Sequence, residues 1–180
     1  MSQHVAILTG AFGSGKTTAC LRLIDLARQS GLECAGVVCP GHFDGATKIG
    51  IDVCDVRTDE RRPLADVDDR PAALRTTRYR FDAGAMAWGA AILDTACPCD
   101  SLVVDELGPL ELERGQGWVN ALDVLRDGRF RLAVVVVRPE LVPIFRRILP
   151  DASAPILEPE SFENQIERLV RCASAANRAK

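Results

Sequence analysis

The run Gly10-Ala11-Phe12-Gly13-Ser14-Gly15-Lys16-Thr17 constrains this chain more than any other stretch, because it sets a glycine-rich turn between an apolar run and a helical one. Its G-x-x-x-x-G-K-[ST] order is that of a phosphate loop. Cradling a polyphosphate requires several backbone N–H groups turned inward, and Gly10, Gly13 and Gly15 permit the angles and close approach that side chains would block. Lys16 reaches the β and γ phosphates as a point charge, Thr17 offers a hydroxyl to Mg²⁺, and Thr18 completes the first helical turn, whose partial positive charge adds to the site. The flanks agree. His4 to Thr9 reads as a buried parallel strand, and Thr18 to Gln29 spaces Ala19, Leu23, Leu26 and Ala27 as one helical face before Gly31 stops it. A nucleoside triphosphate is the expected ligand of residues 10–18.

Further along, strands alternate with helices. Cys34 to Val38 reads as a second strand ending at Pro40-Gly41, and Ser101 to Glu106 as a third ending in two carboxylates. Leu132 to Val137, apolar on both faces, reads as a central parallel strand. Helical spacing covers Phe81 to Thr95 (through Ala85, Trp88, Ala91 and Ile92), Trp118 to Arg126 and Leu141 to Leu149. A final helix begins at Ser161 as N-cap, with Phe162, Ile166, Leu169, Val170 and Ala173 on one face. Pro155 to Leu157 reads as a short extended piece. This order implies an α/β fold with a mostly parallel sheet covered on both sides, that is, three layers. Lys48 to Ala65 alternates instead, with Ile49, Ile51 and Val53 between polar neighbours, and reads as an antiparallel hairpin inserted at one edge. Asp66 to Arg75 reads as a charged surface loop.

The 180 residues fit one domain, spanning 1–180, and 47% apolar with 26% charged residues is ordinary for a globular protein. No apolar stretch approaches the roughly 18 residues of a membrane span. The net charge of −3 gives no overall attraction to nucleic acid. With no signal-peptide pattern before the phosphate loop, a cytoplasmic protein is expected. Seven cysteines at irregular spacing do not form a disulfide framework, and reduced thiols are expected. A zinc site would have to draw on Cys34, Cys39 and His42 with Cys97 or Cys99, without any C-x-x-C pair.

Phosphate-loop sites complete their magnesium shell with an aspartate at the end of an apolar strand, a role that falls to Asp105. Glu106, next in sequence, orients or deprotonates the attacking water. Glu111 and Glu113 read as a solvated face. Arg138, directly after the strongest strand, is the best-placed cation for the γ-phosphate, ahead of Arg114, Arg146 and Arg147. No Asn-Lys-x-Asp string selects guanine, so broad base tolerance is expected. Tyr79, Phe81 and His42 are the rings available for stacking on a base.

The string Val104-Asp105-Glu106-Leu107-Gly108-Pro109-Leu110-Glu111-Leu112 resembles the D-E-[IL]-G-x-[ML]-E-L signature of the thermophile-type, or cancer-related, nucleoside triphosphatases. Gly36-Val37-Val38, Lys48-Ile49-Gly50 with Leu64-Ala65, and Arg78-Tyr79-Arg80-Phe81 are similar to that family as well, over roughly residues 4 to 150. The resemblance implies a RecA-like phosphate-loop fold that hydrolyses ATP, GTP and other nucleoside triphosphates to the diphosphate with Mg²⁺. It carries Lys16, Thr17, Asp105 and Glu106 over directly and gives weight to Glu111. A small-molecule kinase, a cofactor-maturation factor and a nucleotide switch share the same loop and remain the alternatives.

Overall fold

The phosphate loop leaves the carboxyl end of an interior strand in the parallel part of the sheet. The computed structural model describes residues 3–67, 74–150, 156–158 and 162–175. Strand β1 (His4–Leu8) feeds the loop and then helix α1 (Lys16–Gln29). Strands β2 (Cys34–Val38), β7 (Ser101–Leu107), β8 (Leu132–Val137) and β9 (Ile156–Leu157) run parallel with β1 in the spatial order β2-β7-β8-β1-β9. Strand β8 therefore separates β1 from β7, so the residue just past β8 emerges between the phosphate loop and the carboxylates that end β7.

The period-two alternation of buried strands assigns each side chain to a face. Ala6, Leu8, Val134 and Val136 pack with Leu23, Ile24, Phe162 and Ile166, which belong to α1 and α6 (Phe162–Ala175). Ile7, Val135 and Val137 pack on the other face. There they meet α2 (Ala83–Asp94), α4 (Asn120–Asp127) and α5 (Val142–Ile148). The result is the expected three-layer α/β architecture. All six residues of β8 are buried, as a central strand requires. Each such aliphatic side chain stabilises the fold by about 1.5–3 kcal/mol relative to exposure.

The antiparallel insertion is larger than the sequence suggests. Strands β4 (Thr47–Asp55) and β5 (Arg61–Asp66) form the expected hairpin, and β4 joins the main sheet by pairing antiparallel with β2. The chain does not turn away at Pro40-Gly41; β3 (Gly41–Asp44) pairs with β4, and β6 (Arg80–Phe81) pairs with β5. Both are short and largely exposed or half-buried, so neither carries the apolar alternation by which strands are read. Phe81 consequently belongs to β6 and not to the helix. Asp82 caps α2 through a 2.7 Å bond from the Ala85 N–H.

One helix face also shifts. Ala91 is exposed and Trp88 half-buried, while Met86, Gly89 and Leu93 complete the buried face of α2. Gly89 is there because Trp118 packs onto it, 2.5 Å from where a Cβ would stand. The expected N-cap Ser161, Pro155 and residues 68–73 of the charged loop lie outside the described residues.

Candidate active site

The phosphate loop takes the shape its glycines permit. Gly10, Gly13 and Gly15 have φ of 145°, 76° and 90°, and Gly15 is the N-cap of α1. Lys16 Nζ donates to the carbonyls of Gly10 and Ala11, both at 2.8 Å, which holds the ammonium over the mouth of the loop. Phe12, at the tip, is 65% exposed, with Arg78 4.7 Å and Lys48 5.7 Å from its ring centre.

At the end of β7 the register with β8 breaks between Val104 and Leu107, and the Asp105–Glu106 peptide is cis. Asp105 is 2% exposed. It accepts the Cys39 N–H at 3.1 Å and a bond from the Thr17 hydroxyl. Sheet order thus brings together the two residues chosen for the metal, Thr17 at the start of α1 and Asp105 on β7. Burial is the largest influence on Asp105 and, with Glu106 beside it, pushes its carboxyl up to about 6, against the pull of the Cys39 amide, the Thr17 hydroxyl and the Lys48 ammonium. Two hydroxyl or carboxylate oxygens in a buried place that penalises bare negative charge suit a hard divalent cation such as Mg²⁺.

Glu106 is bound by Arg138, Nε to Oε1, at 2.6 Å. Arg138 stands immediately after β8, and the intercalated position of that strand is what aims it at the carboxylate. The other arginines are elsewhere: Arg114 donates to the Arg75 carbonyl at 3.0 Å, and Arg146 and Arg147 are exposed on α5.

Glu111 is no solvated residue. It sits in the short helix α3 (Pro109–Leu112) and is 7% exposed. Its Oε2 accepts the Gly108 N–H at 2.9 Å and its Oε1 the Trp118 N–H at 3.1 Å. Burial raises its pKa, and the Gly108 and Trp118 amides work against that rise. The carboxylate thereby ties the loop after Glu106 to the start of α4. Gly117 makes this possible, since at φ 69° a Cβ there would run into Oε1 of Glu111. Glu113 is exposed, as expected.

Lys48, on the inserted β4, is the residue that motif reasoning missed. Its ammonium stands 5.8 Å from the Tyr79 ring centre and is drawn towards Asp105 and Glu106, while partial burial lowers its pKa. Tyr79 and Phe81, weighed as base-stacking rings, line a cavity with Thr17, Asp105, Glu106 and Arg138. His42 lies apart on β3, 3.6 Å from Asp52. Cys97 and Cys99 are hydrogen-bonded to each other, but among the described residues no three metal-ligating side chains converge.

The NTPase family model matches residues 5–158. The Methanopyrus kandleri protein named nucleoside-triphosphatase THEP1 is 32% identical over 134 residues, 74% of this chain and 73% of the relative. Its namesake from Methanothermobacter thermautotrophicus is 28% identical over 166 residues, covering 91% and 92%. Among solved structures, a human cancer-related nucleoside triphosphatase superposes with a TM-score of 0.74 at 22% identity, over 97% of this chain and 98% of that one. THEP1 from Aquifex aeolicus gives 0.68 at 15%, over 94% and 98%. The chain belongs to the thermophile-type, cancer-related nucleoside-triphosphatase family.

Proposed function

We propose that this protein hydrolyses nucleoside 5'-triphosphates, ATP and GTP among them, to the diphosphate and phosphate in the presence of Mg²⁺. The observation that carries this reading is the convergence, across three different strands, of Lys16 and Thr17, Asp105, Glu106 and Arg138 at one end of the sheet.

The roles follow from chemistry. The loop amides and Lys16 bind the phosphates, the lysine exchanging its two carbonyl bonds for phosphate oxygens. Thr17 and Asp105 would hold Mg²⁺, which would neutralise the charge that develops on the phosphates. The Glu106 carboxylate orients the attacking water and accepts its proton. Arg138 holds that carboxylate in place and, from the same position, reaches the γ-phosphate oxygens. Lys48 adds a second cation from the inserted hairpin. Glu111 positions the Gly108 turn behind Glu106 and touches no reacting atom.

The base-discriminating string is absent from the sequence, and broad base use follows. The test is phosphate release from ATP, GTP, CTP and UTP with Mg²⁺ and no other substrate, repeated for Lys16→Ala. Release from all four that collapses in the variant is the expected result. Equal release by the variant, or none by the wild type, sinks the reading.

A further inference from the structure

The site holds more room than a water needs. The cavity that Thr17, Asp105, Glu106 and Arg138 line extends to Leu64, Phe81, Met86 and Trp118 and measures about 120 Å³ in all. A single water requires only about 10–15 Å³ measured in this way. The Thr17–Asp105 end of the cavity faces the phosphates, since the loop lysine and the strand-end aspartate define where the γ-phosphate lies. The nucleobase lies at the opposite end of the triphosphate and does not compete for the remaining space.

The far wall is apolar, formed by Leu64, Phe81, Met86 and the Trp118 indole. The Trp118 indole N–H is already used by the Met86 carbonyl at 2.9 Å, so that ring presents carbon. Both Glu111 oxygens are likewise engaged. Tyr79 also lines the cavity and carries a polar atom that is unmatched. Tyr79 is 5% exposed, and its hydroxyl is buried without a hydrogen-bond partner among the described residues. A buried polar group left so costs about 1–3 kcal/mol, and a ligand hydroxyl removes that cost. Asp105, Glu106 and Glu111 line the cavity against Lys48 and Arg138, with Arg78 beside the Tyr79 ring, so the charges nearly cancel, which favours a neutral ligand.

We infer that this cavity is an acceptor subsite for a small neutral alcohol with an apolar body, and that the protein transfers the γ-phosphoryl group to it in competition with water. The alcohol body packs against Phe81, Met86 and Trp118, and its oxygen lies between the Tyr79 hydroxyl and Glu106. That oxygen forms the new bond to the γ-phosphorus and the bond from the γ-phosphorus to the β–γ bridging oxygen breaks. The nucleoside diphosphate leaves with the electron pair, and the hydroxyl proton passes to the Glu106 carboxylate. The products are a phosphate monoester and the diphosphate. The inference rests on the proposed hydrolytic function only for the position of the γ-phosphate.

The experiment uses the full chain carrying Trp88→Phe, which leaves Trp118 as the single tryptophan and alters a residue outside the cavity. With Mg²⁺ and a non-hydrolysable ATP analogue bound, 1-butanol and benzyl alcohol are titrated while Trp118 emission is read. With MgATP in place of the analogue, ³¹P NMR follows inorganic phosphate and the butyl or benzyl phosphate ester. A saturable emission change, weakened roughly three- to tenfold by Tyr79→Phe, together with ester formation that saturates over the same concentrations, is expected. Phosphate release without any Trp118 response to either alcohol overturns the subsite and leaves hydrolysis standing. A saturable response with phosphate as the sole product overturns the acceptor role. A saturable response, weakened by Tyr79→Phe, with ester formed but no free phosphate supports the subsite and sinks the hydrolytic reading.

Discussion

Replacing Asp105 by asparagine removes a charge that the fold tolerates for the sake of the site, and the size of the effect follows from its surroundings. Burial lifts the carboxyl from an ordinary 3.8 to about 6. The sign follows from proton counting: between these values the native state binds the proton and the unfolded chain does not, so stability falls as pH rises and levels off above about 6. The raised carboxyl then destabilises the native state by roughly 2 kcal/mol at pH 5 and roughly 3 kcal/mol at pH 8. Asparagine is nearly isosteric, can still accept the Cys39 amide and carries no charge. Asp105→Asn is therefore expected to be more stable than the wild type, the gap widening by roughly 1 kcal/mol from pH 5 to pH 8. At pH 8 that corresponds to a melting temperature higher by about 6–12 °C for a chain of this size. Urea denaturation of both proteins at the two pH values, without metal or nucleotide, measures the double difference, in which titrating groups that do not interact with Asp105 cancel. A gap that stays constant with pH, or that narrows at pH 8, refutes the assignment of a desolvated, ionisable Asp105. Adding Mg²⁺ and a non-hydrolysable nucleotide reverses the order, since only the wild type retains the carboxylate that favours the ion.

Three further outcomes test the support around the site. Glu111→Ala leaves the Gly108 and Trp118 amides without their buried acceptor and is expected to lower stability by about 2–5 kcal/mol, read by urea denaturation, with Glu111→Gln recovering part of the loss. Gly117→Ala forces a side chain into left-handed backbone and against Glu111; calorimetry is expected to register a loss of about 1–3 kcal/mol. Arg138→Ala is expected to lower kcat about a hundredfold while shifting nucleotide affinity much less, as separated by single-turnover kinetics and equilibrium binding.

What could be read directly from the sequence is what is local. The phosphate loop, the apolar strands β1, β7 and β8 and the acidic end of β7 each carry their signal within a few residues, and Arg138 follows from the end of a strand. The order in which these parts face one another comes from the sheet, where β8 lies between β1 and β7. The missed features all depend on distant partners. Lys48 gains its meaning because β4 docks on β2 and brings the hairpin over the loop. Glu111 looks like a surface residue until Gly117 and Trp118, several positions later, fold back onto it. Strands β3 and β6 are short and leave no apolar period to read.

The central claim is that Glu106 serves as the base of a water-using triphosphatase. It is tested most directly by single-turnover hydrolysis of MgATP by Glu106→Gln beside equilibrium binding of the same nucleotide. The account predicts binding close to that of the wild type and phosphate release slowed by at least about a hundredfold. Release at the wild-type rate with unchanged binding would contradict it and would move the base elsewhere in the site.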